Sequence, residues 1–457
     1  MQRPHSRRSF LRGTLLATGG AILAACTRAV GRRRPTWADP IAMGTAPDPV
    51  DATALDTSTP IKRVVYLVKE NRTFDHLFGR FPGANGVTVG MDRGAERPLL
   101  PATRGALAED IRHCYECSIA AWNEGRMDGF NQSEAADAGA YTQFLPEDLP
   151  TYWRWAEQFV LLDNFFTSAH GPSFPNHLFA IAAQSAGAYE NPAQNHADLS
   201  RRHRESGLVK AWGCDSLSNA FVTTKDADGT VGRAFPCFDI ETAGDLLDRK
   251  RIPWACYSAT PYQNGYIWNA FSAISHVRHD PERWARHCFP VDDLVRHIRE
   301  DRLPPVTWVT PRFEVSDHPE YSLCWGETWT TKVVNAIMES SSWKETAIFL
   351  TWDDYGGFYD HQPPEQIDRF GFGIRSPMLV ISPYAKHGHV SHELGEFSSP
   401  VRFIQDNWGL PQLAERDRRA TPLLDAFDFD QRPRPPDVRP LPGDCEGEVY
   451  PDEPPGA

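Results

Sequence analysis

The stretch Val64-Val65-Tyr66-Leu67-Val68-Lys69-Glu70-Asn71-Arg72-Thr73-Phe74-Asp75-His76 decides the fold. Its first five residues are apolar without alternation. A run of that length belongs to a strand covered on both faces, as in a parallel sheet. It then breaks abruptly into polar and charged residues. Similar apolar runs recur at residues 254–257, 306–309, 347–350 and 378–381. Between them lie helix-spaced groups such as Leu178, Phe179, Ile181 and Ala182, and Val333, Val334, Ile337 and Met338. Strands alternating with helices predict an α/β fold around a mainly parallel sheet. Residues 188–250 are polar and contain Gly and Asp, which reads as an excursion over that sheet.

The chain has 457 residues, 41% hydrophobic and 23% charged, an ordinary globular composition. Its 38 Pro and 33 Gly follow no fibrous period. With 47 Lys and Arg against 60 Asp and Glu, the net charge is −13. Such a chain is not built to coat nucleic acid, which needs clustered cations. At the start, Arg7-Arg8-Ser9-Phe10-Leu11 is a twin-arginine pattern, followed by an apolar stretch over 13–25. That stretch falls short of the roughly 20 apolar residues that a membrane span needs. Leu23-Ala24-Ala25-Cys26 has the form of a lipoprotein cleavage box. The expectation is a signal segment over 1–26, export by the twin-arginine machinery and a lipid anchor on Cys26. The protein would then sit on the outer face of the cytoplasmic membrane or in the cell wall, or be secreted. Residues 27–60 read as a flexible linker, 61–431 as the folded body and 432–457 as a Pro-rich tail.

Of nine Cys, eight remain when Cys26 is set aside. An even set in an exported protein points to disulfides. Cys214 and Cys237 are the preferred pair, because both sit in turn-like surroundings. Cys114 and Cys117 form a CxxC with no second ligand pair at zinc-finger spacing. A disulfide or free thiols fit them better than zinc.

Ligands of open α/β sheets collect beyond the carboxyl ends of the strands. Glu70-Asn71-Arg72 follows the first run, and Asp353-Asp354-Tyr355-Gly356-Gly357 follows the run at 347–350. Thr310-Pro311 and then Ser316-Asp317-His318 follow 306–309, and Ser382-Pro383-Tyr384-Ala385 follows 378–381. One Asp-Asp pair alone is ordinarily a solvated loop or a cap. Two acidic groups after two core strands are another matter, because neighbouring carboxylates ionise together only beside a cation. Oxygen ligands such as Glu70, Asn71, Asp353 and Asp354 suit Ca²⁺, Mg²⁺, Mn²⁺ or Zn²⁺. The candidate nucleophile is Ser173 in His170-Gly171-Pro172-Ser173-Phe174-Pro175-Asn176-His177, a sharp turn into a helix start, where phosphate is favoured. A plain helix cap is the alternative role, and the two are compatible. His113, His318 and His361 are candidates to neutralise phosphate oxygens or protonate a leaving group.

Four of these blocks together resemble one family. Residues 70–79, Ala121-Trp122-Asn123-Glu124-Gly125-Arg126-Met127-Asp128-Gly129-Phe130, residues 171–177 and residues 351–361 are similar, in order, to the motifs of bacterial phosphoesterases. That family contains non-zinc-type phospholipases C and acid phosphatases. The resemblance implies an alkaline-phosphatase-like, three-layer α/β/α sandwich, with 61–431 as a single catalytic domain. It implies Glu70, Asn71, Asp353 and Asp354 as metal or phosphate ligands, and Ser173 as nucleophile. His113 and His318 would line the pocket, and His361 would join them. The implied activity is metal-dependent hydrolysis of phosphate esters, either phospholipase C-type or phosphomonoesterase. Trp122, Tyr321, Trp325 and Trp329 would be available for a choline cage. A sulfatase would need Arg two residues after Pro175, where His177 stands. A binding lipoprotein that had shed the chemistry would lack Glu70, Ser173 or Asp353, and all three are present.

Overall fold

The computed structural model describes residues 40–107, 109–442 and 445. The twin-arginine pair and Cys26 lie outside the described residues. Eight strands form the central sheet: β1 (Arg63–Lys69), β2 (Val160–Leu162), β3 (Trp254–Ser258), β4 (Cys288–Pro290), β5 (Val306–Val309), β6 (Thr346–Trp352), β7 (Met378–Ile381) and β8 (His389–Ser391). Their order is β4-β3-β5-β1-β6-β7-β2-β8. All neighbours run parallel except β7, which is antiparallel to both β6 and β2. Every residue of β1 and β6 is buried, the physical reason their sequences do not alternate. The strands β2, β4 and β8 have three residues each, too few for an apolar run to stand out in the sequence.

Four helices matter below: α1 (Ser173–Ala182), α2 (His196–Ser206), α3 (Leu323–Glu339) and α4 (Ser398–Trp408). Tyr66 and Trp308 are register partners and share one sheet face. Trp308 Nε1 donates to the Ala180 carbonyl of α1, and Tyr66 Oη donates to the Phe397 carbonyl at the start of α4. Lys69 is an odd number of positions from Tyr66 and so faces the other way. It donates to Thr330 Oγ1 of α3. Helices therefore cover both faces, and the architecture is a three-layer α/β/α sandwich. No helix among the described residues is long and apolar enough to cross a membrane.

Two sequence expectations need correction. Because β7 is reversed, Ser382 leaves the sheet at the edge away from Glu70, where its Oγ donates to the Thr346 carbonyl at the start of β6. The residues before β7 reach the other edge instead, and Ser376 Oγ donates to the Trp352 carbonyl. The free linker and tail also fail for their described parts. Gly44 N donates to the Cys288 carbonyl, and Thr59 Oγ1 donates to Asn407 Oδ1. At the other end, Trp343 Nε1 donates to the Arg434 carbonyl, Asn335 exchanges two hydrogen bonds with Arg439, and Cys445 is bonded to Cys324. These segments dock through scattered backbone and side-chain hydrogen bonds and one disulfide, which leave no apolar period in a sequence.

Candidate active site

The end of β1 is shaped by one residue. Asn71 adopts φ +61°, a left-handed conformation that Asn tolerates better than most side chains. Its N–H donates to Asp353 Oδ1 at 2.9 Å, joining the ends of β1 and β6. Gly356, also left-handed, lies so close that a Cβ would sit 2.6 Å from the Asn71 carbonyl oxygen. Its N–H fixes Asp354 Oδ1 at 2.7 Å. On the facing wall, Gly171 at φ +102° turns the chain where a Cβ would approach Tyr115 Cα to 3.0 Å. Pro172 then takes the N-cap position, which makes Ser173 the first residue of α1 rather than its cap.

Ser173 Oγ lies 3.2 Å from Asp354 Oδ2 and 3.4 Å from Glu70 Oε2. One turn along α1, His177 presents Nε2 at 3.0 Å from Glu70 Oε1 and 3.5 Å from Asp353 Oδ2. His177 was not among the site residues named from sequence. The signal for it was present: Ser173 and His177 are spaced i, i+4 and so share one helix face. The Asn71 side-chain amide is satisfied when its nitrogen faces Glu70 and Asp353, at 3.2 and 3.0 Å. Its oxygen then accepts from His113 Nε2 at 2.8 Å and from His318 Nε2 at 3.2 Å. His113 Nδ1 sits 2.6 Å from the Ile111 carbonyl, so both of its ring nitrogens face acceptors.

Glu70, Asp353 and Asp354 are fully buried. Burial, reinforced by the charge of Asp353, pushes Glu70 and Asp354 well above the usual carboxylate range. Burial also opposes ionisation of Asp353, but His177, with Nε2 3.5 Å from Asp353 Oδ2, outweighs it and holds Asp353 low. His113 rises to about 9 against its burial, because Asp354 and Asp110 attract its proton. His318 is pushed well down by burial and by His113. Asp353 Oδ2 is buried and makes no hydrogen bond. Three buried carboxylates, one with an oxygen lacking any donor, form a donor set that fits a divalent cation. Glu70, His177 and Asp353 bring their ligand atoms within 4.8 Å of one another, as do Asp110, His113 and His318.

The loop carrying His318 is pinned from behind. Asp317 pairs with buried Lys69 at 3.2 Å and accepts from Tyr152 Oη and Trp352 Nε1, each at 2.9 Å. Its carbonyl accepts from Arg72 Nε and Nη2.

Not every expected residue converges. His361 is held elsewhere, with Nδ1 2.6 Å from Asp75 Oδ2 and Nε2 3.1 Å from Asn85 Oδ1. These partners are not residues that surround Ser173. The aromatic set does not close into a cage either: Trp329 stacks over buried Lys69, while Trp122 packs against His170. Cys114 is bonded to Cys117 and Cys214 to Cys237, and Cys256 and Cys288 are buried free thiols.

With this geometry in hand, a family model described as "Phosphoesterase family" matches residues 61–411. The chain belongs to the phosphoesterase family. Among its relatives, the hemolytic phospholipase C of Pseudomonas aeruginosa is 25% identical over 419 residues, covering 78% of this chain and 53% of that protein. Phospholipase C A of Mycobacterium tuberculosis is 24% identical, covering 86% of this chain and 81% of that protein. The non-specific phospholipase C1 of Arabidopsis thaliana is 26% identical, covering 73% and 63%. The chain spans about half the length of the Pseudomonas relatives it matches.

Proposed function

We propose that the chain hydrolyses phosphate esters by covalent catalysis through Ser173, with phospholipase C-type cleavage of phospholipids as its main activity. The observation that carries this reading is Ser173 Oγ at the start of α1, within 3.4 Å of both Asp354 and Glu70. The hydroxyl attacks phosphorus, the Oγ–P bond forms and the bond to the leaving oxygen breaks. The hydroxyl proton passes to the adjacent carboxylates, and His113 gives the leaving oxygen its proton. His318 lines the pocket and holds the Asn71 amide oxygen through its Nε2 N–H. Water, giving a proton to His113, then attacks phosphorus; the Oγ–P bond breaks, Ser173 Oγ takes back its proton from the carboxylates, and the phosphate product leaves. Glu70, Asn71, Asp353 and Asp354, with His177 beside them, would hold a divalent cation, whose chemistry is to acidify the serine hydroxyl and polarise the phosphoryl oxygens.

The test is turnover of mixed phospholipid vesicles, p-nitrophenyl phosphate and p-nitrophenylphosphorylcholine by the purified protein, with and without chelator. Chelator-sensitive release of diacylglycerol supports the reading. Turnover of p-nitrophenyl phosphate alone makes the chain a phosphomonoesterase, and no turnover at all makes it a binding lipoprotein.

The proposal includes location. Arg7-Arg8, the short apolar run and Cys26 support export through the twin-arginine route and anchoring on the outer face of the cytoplasmic membrane. A single acyl chain holds a protein only marginally, so a diacylated Cys26 is the expected anchor. Cys26→Ser that matures and stays in the membrane fraction would overturn the anchor. Normal export of the Arg7→Lys, Arg8→Lys double variant would overturn the route.

A further inference from the structure

Beside the site lies a cavity of about 480 Å³, in the range of small-molecule pockets. It is lined by α2 and the segment after it, and by the loops that follow β3 and β5, among them Lys210, Tyr262, Gln263, Asn264, Arg312 and Glu314. Both loops emerge at the carboxyl edge that carries Glu70 and Asp353. In the sheet, β5 is next to β1 and β3 is next to β5. The loops that line the cavity therefore leave the first and second strands beside the Glu70 strand.

One loop connects the two places. The loop after β5 runs from Arg312 in the cavity wall to His318 in the site, and the Phe313 ring lies 4.6 Å from the His318 ring. Phe313 N donates to the Asn264 carbonyl at 3.1 Å, tying the loop after β3 to the loop after β5. Asp292 fixes the wall, accepting from Gln263 Nε2 at 2.7 Å with Arg312 Nε at 3.5 Å.

The chemistry of the lining is selective. Each hydroxyl of a ligand donates one hydrogen bond and accepts others, so a hydroxyl-rich ligand needs mixed partners. Lys210 and Arg312 donate, Asn264 does both, and Glu314 Oε2 is a buried carboxylate oxygen that makes no hydrogen bond. Its nearest cation, Arg312 Nε, lies 3.9 Å away, too far for a hydrogen bond, and a ligand hydroxyl would supply one. Tyr262 is 53% exposed and offers a flat face to the C–H side of a ring. A choline group would meet two cations, Lys210 and Arg312, against one carboxylate, Glu314, here. Tyr262 is the one Phe, Tyr or Trp among the cavity's described lining residues, whereas quaternary ammonium groups are held in cages of aromatic faces.

We infer that this cavity seats a sugar or polyol group carried by the phosphate ester, and that the substrates are hydroxyl-rich phosphate esters rather than choline esters. The inference rests on the hydrolase reading above.

The test compares kcat and KM for 4-methylumbelliferyl myo-inositol 1-phosphate, p-nitrophenylphosphorylcholine and p-nitrophenyl phosphate, together with phosphatidylinositol and phosphatidylcholine vesicles. The wild type should favour the inositol esters. Glu314→Gln and Tyr262→Ala should each raise KM for the inositol ester about tenfold and leave p-nitrophenyl phosphate within about twofold. Preference for inositol in vesicles as well as in solution assigns the lipid head group, and preference in solution alone assigns free polyol phosphates. Preference for the choline ester, or equal effects of the variants on all substrates, overturns the cavity's role while leaving the hydrolase reading intact. If the wild type turns over none of these esters, the hydrolase reading falls, and this inference with it.

Discussion

The protein buries two clusters of the same composition, carboxylates with histidine, and they are opposites. The cluster of Asp75, Asp360 and His361 is built around Arg375, which is fully buried. Arg375 Nε lies 3.0 Å from Asp360 Oδ1, and Nη2 lies 3.3 Å from Asp75 Oδ1. Asp75 Oδ2 accepts from both the backbone N–H and the ring of His361, and Asp360 Oδ1 accepts from the Gln362 N–H. Charge and hydrogen bonding close within the chain. The cluster of Glu70, Asp353 and Asp354 is reached by the histidines His177 and His113, and Asp353 Oδ2 makes no hydrogen bond, with His177 Nε2 3.5 Å away. Carboxylates with a fixed guanidinium hold a fold together, whereas carboxylates without one could be held ionised by a cation from outside.

The sharpest way to break this contrast is at the nucleophile. Ser173→Ala should lower turnover by about three orders of magnitude or more, the scale for losing a covalent nucleophile, with its melting temperature near that of the wild type. Steady-state kinetics and a thermal melt on one sample check both halves; near-normal turnover in a folded variant would abolish the covalent mechanism.

Arg375→Met tests the other cluster. Removing one partner of a buried ion network costs about 3–5 kcal/mol, so the midpoint of urea unfolding should fall sharply. Metal content per folded molecule should stay at the wild-type level. Elemental analysis showing metal lost from Arg375→Met would mean that the two clusters are not separate. Asp353→Asn should behave in reverse, losing metal without a comparable fall in the stability of the metal-free protein.

His177→Asn probes the missed residue. Loss of a group that holds or orients a metal ligand typically costs 10–100-fold in metal affinity or activity. A metal titration with an activity readout measures this, and unchanged values would reduce His177 to packing.

The smallest effect is expected at His361. Burial opposes its charge, but the hydrogen bond and charge of Asp75 outweigh this and raise its pKa. A histidine raised on folding contributes stability that is fully present below its unfolded pKa of about 6.5 and is lost as pH rises through the folded value. His361→Asn should therefore cost about 1 kcal/mol at pH 5.5, less at pH 8.5, and leave kcat within about threefold of the wild type. A large fall in kcat at full metal occupancy would return His361 to the catalytic machinery.

Among the described residues, the sequence by itself determined the central strands and the residue types at their ends. Buried parallel strands leave unbroken apolar runs, and the runs around Tyr66, Trp308 and Phe349 are such strands. Glu70, Asp353 and Asp354 follow two of those runs, so their meeting was legible. Ser173 was legible as well, because a Gly-Pro turn before a helix start is a local signal. Only the tertiary structure decided which histidine belongs to the cluster. His361 follows Asp353-Asp354 by a few residues and points to Asp75, whereas His177 comes from another helix and reaches Glu70. The same holds for the reversal of β7, which moved Ser382 to the far edge, and for the docked ends held by Asn407 and Cys324. Hydrophobic period is written in neighbouring residues, but the partner of a buried polar atom is set by contacts hundreds of residues apart, and those exist only once the sheet has formed.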